Sequence, residues 1–223
     1  MEPVTGVPTV LFRGIERHAA VWTGDSASSF EALRLTLPML LGLGLSGVPF
    51  AGSDIGGWTG FASPELFARW MELGAVSPFY RGHVQHGTPD QEPWAFGPEV
   101  EDISRIWLNQ RYEWLPYLCS LFHQASLTGA PLLRPPVFEF QNDLDLLDVA
   151  DEAMLGPWLL VAPVLEPAVK SRTVRLPAAD LLEWRSGARW TVRSRRCVWT
   201  ARTLRWSLGS RTSTPRTRAG SRT

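Results

Sequence analysis

The run VPFAGSDIGGWTG, residues 48–60, starts apolar and ends glycine-rich. A single carboxylate, Asp54, stands where the character changes. The first half, VPFAG (48–52), has the short, β-branched and aromatic composition of a buried strand. Reading outward in both directions finds the same punctuation twice more. Asp25 lies 29 residues before Asp54 and follows the strand-like AAVWT (19–23); His83 lies 29 residues after it and follows AVSPFY (75–80). One strand–helix unit takes about 30 residues. The three polar side chains are therefore expected on one lip of a single parallel sheet, the lip where parallel α/β folds place their ligands.

The segments between them read as helices. After Asp25, Ser28 and Glu31 have capping-box spacing, Pro38 is expected to kink or shorten the helix, and glycines at 42, 44 and 47 are expected to end it. Ser63-Pro64-Glu65 places a cap residue ahead of a proline at the first helical position. Leu66, Phe67, Trp70 and Met71 follow at helical spacing. A longer helix is predicted from Pro98 to about Gln124, with Val100, Ile103, Trp107, Leu115, Leu118 and Phe122 as its apolar stripe and Pro116 as an interruption.

Past residue 130 the pattern changes. LLRPPVFEF, GPWLLVAPVL and RTVRLP are short strand-like runs split by proline and glycine, as in an antiparallel β domain. Residues 191–223 hold nine Arg, no Asp or Glu, and twelve Ser or Thr, and are expected to lack order. The chain is accordingly divided into 1–130, 131–190 and 191–223.

The formal net charge of zero hides an uneven distribution. Residues 1–190 carry a net charge of −9, which argues against a nucleic-acid groove. Cys119 and Cys197 are too few for a disulfide framework and lack metal-site spacing. The longest apolar run is broken by Gly and Pro, so no membrane span is expected. MEPVTGVPTV lacks the basic and apolar pattern of a signal segment, and a cytoplasmic setting is expected.

Asp25 has two readings: a cap or first-turn acid for the following helix, or a proton-moving group. Trp22 and Gly24 favour the second, because a carboxyl pressed on an aromatic face holds its proton to higher pH. GSDIGGWTG (52–60) fits neither the dinucleotide nor the P-loop fingerprint. Asp54 with Trp58 nearby suits a sugar better, since a carboxylate accepts from vicinal hydroxyls and aromatic faces pack on the C–H side of a pyranose. In FYRGHVQHGTPDQEPW (79–94), Arg81 and His83 read as donors to a substrate or a neighbouring carboxylate. The competing readings are a structural Arg–Asp pair at the lip, and a metal site formed by His83, His86 and Asp90. His18 and His123 read as surface or packing residues.

The segments RHAAVWTGD, GVPFAGSDIGGWTG, RWMELGAVSPFYRGH, QEPWAFG, GPWLLVAPVLE and RTVRLPAADLLEWRSG, in this order from about Phe12 to Trp190, resemble glycoside hydrolase family 31, the α-glucosidase and α-xylosidase family. The resemblance implies a partial TIM (β/α)8 barrel, comprising the late strand–helix units, followed by the start of an antiparallel β-sandwich. It implies retaining hydrolysis of α-glycosidic bonds in an α-glucoside or other α-glycoside, without a cofactor. Asp25 would be the general acid/base, Trp22 would line the pocket, and Asp54, Arg81 and His83 would hold the non-reducing-end sugar.

Three departures bear on those expectations. The family's nucleophile motif, of the Trp-x-Asp-x-Asn-Glu type, does not occur in the 223 residues. Thr9 stands where the family usually has an Arg, and Gly82 where it usually has an Asn. A full barrel takes eight strands and about 250 residues, and only three or four strand units are legible before residue 124. The chain is thus expected to be a C-terminal part of a larger enzyme, inactive without the other half of the barrel. The abrupt change of character before residue 12 and after about 190 is expected to reflect a frame break or truncated gene. The alternatives are a non-catalytic sugar-binding or interaction remnant and, more distantly, a metal-dependent α/β hydrolase.

Overall fold

The structure is a computed structural model that describes residues 19–184, 187, 189–191, 196–200 and 207–209, with the backbone alone from 190 onward. Strands β1 (Val21–Trp22), β2 (Ala51–Asp54) and β3 (Phe79–Arg81) form one parallel sheet in the order β1-β2-β3. Trp22 pairs with Gly52, Gly52 with Phe79, and Asp54 with Arg81. Among the described residues this sheet does not close on itself.

Helix α1 (Phe30–Leu45) follows β1, α2 (Pro64–Val76) follows β2, and α3 (Pro98–Thr128) follows β3. Ser63 caps α2 as its sequence predicts, its side chain accepting from the Leu66 amide. The cap of α1 is one residue later than expected: Ser29 accepts from the Ala32 amide at 3.1 Å. Ser28 is instead held by its backbone, its amide donating to the Thr59 carbonyl at 2.8 Å.

Neither internal proline ends its helix, so the shortening expected at Pro38 and the interruption expected at Pro116 do not occur. The carbonyls that Pro38 and Pro116 leave without a helical donor belong to Arg34 and Tyr112, both exposed, so water reaches them. Gly42 and Gly44 do not end α1 either. A Cβ on Gly44 would lie 2.9 Å from the Leu133 carbonyl and from the Pro131 ring, so this glycine permits close packing on the β region. The helix ends at Ser46, and Val48 donates back to Leu43. That exit uses residues 48–50 and starts β2 later than expected. In the same way α2 runs to Val76, so β3 begins at Phe79 rather than at Ala75.

Beyond residue 130 the strands are antiparallel. One sheet has the order β4-β5-β6-β11-β8-β9: Leu133–Arg134, Ala153–Leu155, Leu159–Val161, Ser207–Gly209, Asp180–Glu183 and Arg189–Thr191. A second pairs β7 (Ser171–Arg175) with β10 (Arg196–Thr200). Met154, Leu160 and Leu181 of the larger sheet meet Val174 of the smaller in one buried cluster, so the two sheets pack as a sandwich. Strands β10 and β11 lie in the stretch after 191 that was expected to lack order. Their pairing with β7, β6 and β8 supplies the backbone hydrogen bonds that side-chain periodicity does not announce. The remainder of that stretch, like residues 1–18 with His18, lies outside the described residues.

A single core joins the two regions. Leu33, Leu37, Trp70, Leu73 and Trp114 of the helices are in one cluster with Leu133, Ala153, Leu155, Leu159 and Val161 of the larger sheet. The link from β6 to β7 crosses the outer face of the helices. Glu166 pairs with Arg34 at 3.1 Å, the Ala168 amide donates to Glu65, and the Val169 carbonyl accepts from Arg69 at 3.2 Å. Among the described residues no helix is long and apolar enough to cross a membrane.

Candidate active site

Asp54 ends β2 with its side chain fully buried. Its neighbour in register, Arg81, ends β3 and donates Nε and Nη2 to the same oxygen, Oδ1, at 2.8 and 2.5 Å. The other oxygen, Oδ2, is buried with no hydrogen-bond partner among the described residues. Burial raises the Asp54 pKa, and this outweighs the lowering from the Arg81 hydrogen bond and charge. The charge of His83 lowers it further and that of Asp25 raises it, so both groups are near enough to act on this carboxyl.

On its way to Asp54 the Arg81 guanidinium passes 5.1 Å over the Trp22 ring and 5.6 Å over that of Phe79. This changes the expected surroundings of Asp25. The Trp22 face is engaged by Arg81, while Asp25 stands exposed at the bend after β1. Nor is Asp25 the cap of α1, which is Ser29. The Trp22 Nε1 donor is buried without a partner among the described residues, as is Oδ2 of Asp54. The Arg–Asp pair at the lip, one of the alternative readings of Arg81, is present. It occupies one carboxylate oxygen and leaves the second.

The 29-residue spacing identifies the lip but not the rung. Asp54 aligns with Arg81, while Asp25 and His83 stand beyond the ends of β1 and β3, both exposed. Three loops at that lip lace together. The amides of Trp58 and Thr59 donate to Ser26, Gln85 donates to Trp58, and the Gln91 side chain donates to Gly57 at 3.1 Å. The glycines of GSDIGGWTG serve this lacing. Gly56 and Gly57 have φ of 86° and 87°, and a Cβ on Gly57 would meet the Ser28 backbone at 2.7 Å. Gly52 lies against Phe79, whose carbonyl a Cβ would overlap at 1.9 Å. These contacts explain the glycines without a phosphate.

Two supports of the site have no local sequence signal because their partners are distant in the chain. Ser53 accepts from Trp70 Nε1 at 2.9 Å, and Gln91 reaches back to Gly57. His86 and Asp90 are exposed on the loop after β3. Among the described residues no group of three or more His, Cys, Asp or Glu is gathered to hold a metal ion, so the geometry does not support the metal-dependent alternative. A pocket of about 520 Å³ lies on the helix side of β3, lined by Ile55, Phe67, Met71, Tyr80 and Leu108, with His83 and Gln91 also in its wall. Asp25, Asp54 and Arg81 do not line it, and the candidate site is assigned to the carboxylate lip rather than to this mostly apolar space.

Comparison with known proteins identifies the family. Residues 10–121 match the glycosyl hydrolases family 31 TIM-barrel domain, and residues 129–211 match the family 31 C-terminal domain. The chain is 43% identical over 176 residues to "Alpha-glucosidase 2" of Bacillus thermoamyloliquefaciens, covering 79% of this chain and 22% of that protein. It is 41% identical over 182 residues to human "Neutral alpha-glucosidase C", covering 81% and 20%. Among solved structures, a family 31 α-xylosidase from a soil metagenome, complexed with xylose, superposes with a TM-score of 0.79 at 30% identity, over 86% of this chain and 32% of that one. The glucosidase II alpha subunit superposes with a TM-score of 0.82 at 27% identity, over 85% and 21%. The chain thus spans about a fifth of the length of the curated relatives it matches.

Proposed function

The chain belongs to glycoside hydrolase family 31, and from that premise we propose that it carries the acid/base half of a retaining α-glycosidase site. Asp25 is the proton donor. Asp54, Arg81 and His83 hold the terminal sugar, and Trp22 forms part of its wall. The substrate is an α-glucoside or related α-glycoside. The observation that carries this reading is the state of Asp54. One oxygen is fixed by Arg81, and the other is buried with no hydrogen-bond partner among the described residues, as is the indole N–H of Trp22. Buried polar groups without partners are costly. An acceptor and a donor of this kind suit the hydroxyls of a sugar.

The chemistry divides between two carboxylates. The Asp25 proton passes to the glycosidic oxygen as its bond to the anomeric carbon breaks, and a nucleophilic carboxylate bonds to that carbon. Asp25, now ionised, takes a proton from water as the water displaces the nucleophile. Asp25 would act from the exposed bend that follows β1. No nucleophile motif occurs in the 223 residues, so we expect the second carboxylate from a separate barrel half and no hydrolysis by the chain alone. We also take the domain boundary to be near residue 130 and, with so few cysteines, the setting to be cytoplasmic.

Co-expression with the N-terminal half of a family member tests this. Turnover of an aryl α-glucoside is expected only with both halves present. Turnover by the chain alone contradicts the divided site. Sugar binding by the chain with no turnover in any combination favours the non-catalytic remnant.

A further inference from the structure

The last carbonyls of a helix have no partner within it. At the end of α2 one of them, that of Ala75, is taken by a distant side chain that also gathers the two carbonyls just past the helix. Arg111, in the middle of α3, donates Nη1 to the carbonyls of Ala75 and Ser77 at 2.9 and 2.7 Å, and Nη2 to that of Pro78 at 3.0 Å. The same guanidinium lies 5.2 Å from the centre of the Tyr80 ring. Tyr80 is also pressed on α2. A Cβ on Gly74 would lie 2.4 Å from its ring, and its hydroxyl donates to the Met71 carbonyl at 3.3 Å. Ser77, Pro78 and Tyr80 are thus all tied down immediately ahead of Arg81. Strand β3 is three residues long and has one strand neighbour among the described residues, so its own ladder anchors it weakly. An extended chain transmits a shift at Pro78 to Arg81 directly.

We propose that Arg111 is a positioning residue: by gathering the α2–β3 corner and seating Tyr80, it sets the height of β3 and puts the Arg81 guanidinium on Asp54. The importance of that pair for a sugar rests on the function proposed above; the placement of Arg81 does not, and the test reads placement. Lysine keeps the charge of Arg111 but lacks the planar fork that spans three carbonyls.

The measurement is hydrogen exchange at the Arg81 Nε–H in the ¹⁵N-labelled chain, its resonance assigned by its loss in Arg81→Lys. In the parent this proton is expected to be protected. In Arg111→Lys its exchange is expected to rise at least ~10-fold. Arg69→Lys, which disturbs a different carbonyl contact on α2, serves as the control and is expected to leave it unchanged. Urea unfolding of each variant separates stability from placement. A folded Arg111→Lys protein with parental exchange at Arg81 overturns the proposal, whatever its stability, as does an unprotected Arg81 in the parent. If Arg111→Lys does not fold, Tyr80→Leu removes the seat while keeping the three carbonyl contacts. Faster exchange at Arg81 then supports the proposal, and unchanged exchange overturns it. Loss of the glycosidase reading with faster exchange leaves the positioning role standing.

Discussion

Arg81 spends both its Nε and its Nη2 on a single oxygen of Asp54, and the other oxygen is buried with no hydrogen-bond partner among the described residues. A pair built only for stability would satisfy both oxygens. Here Arg81 is partly exposed and Asp54 is not. Removing the arginine therefore strands a charge in the interior. Arg81→Ala is expected to cost about 3 kcal/mol. Adding Asp54→Asn is expected to recover more than half of that, because the stranded charge is gone. Urea unfolding of the two single variants and the double decides it; independent, additive losses would contradict the coupling.

Gly52 carries the closest backbone approach in the site. A Cβ there overlaps the Phe79 carbonyl, which is backbone and cannot swing away. Gly52→Ala is expected to cost about 3–5 kcal/mol by forcing β2 and β3 apart. Gly82→Ala is the comparison, since nothing lies within 4 Å of a Cβ at that position. Thermal or urea unfolding that ranks the two variants equally would contradict this account of the sheet.

Stability should fall as pH rises. Glu72, buried on α2, is pushed up to about 8 by burial, which outweighs the charge of Arg69, the Val164 amide and the charge of Arg172. Glu152 is pushed up to about 7, again chiefly by burial. A carboxyl whose folded pKa is raised contributes stability that is complete below its unfolded pKa, about 4.5, and is lost as pH climbs through the folded value. The chain should therefore weaken between pH 5 and 9. Glu72→Gln should flatten that slope and stabilise at the alkaline end. The urea midpoint across this range checks it, and an unchanged slope in Glu72→Gln would refute it.

Much of the fold is legible because its signals are local. Ser63-Pro64-Glu65 announces α2, and the recurring strand ends announce a parallel sheet with a polar lip. The errors arise where tertiary contacts override local preference. Gly44 packs on Pro131 and Leu133 instead of ending its helix, and Pro38 sits in a helix because the carbonyl it orphans belongs to exposed Arg34. Strands β10 and β11 owe their existence to partners outside their own segment. In the site, Asp54 and Arg81 stand out as polar residues at strand ends. Arg111 and Gln91 do not, since their partners lie 33 to 36 residues away and 34 residues away.

Asp25 is proposed to give its proton to the departing oxygen. The direct measurement is kcat/KM of the co-expressed halves on aryl α-glucosides of graded leaving-group pKa, with Asp25 and with Asp25→Asn. A general acid matters most when the leaving oxygen is most basic. The loss in Asp25→Asn should be small for the most acidic phenol and grow to at least ~100-fold for the least acidic. A loss that is the same for every leaving group, or no loss at all, would contradict the role assigned to Asp25.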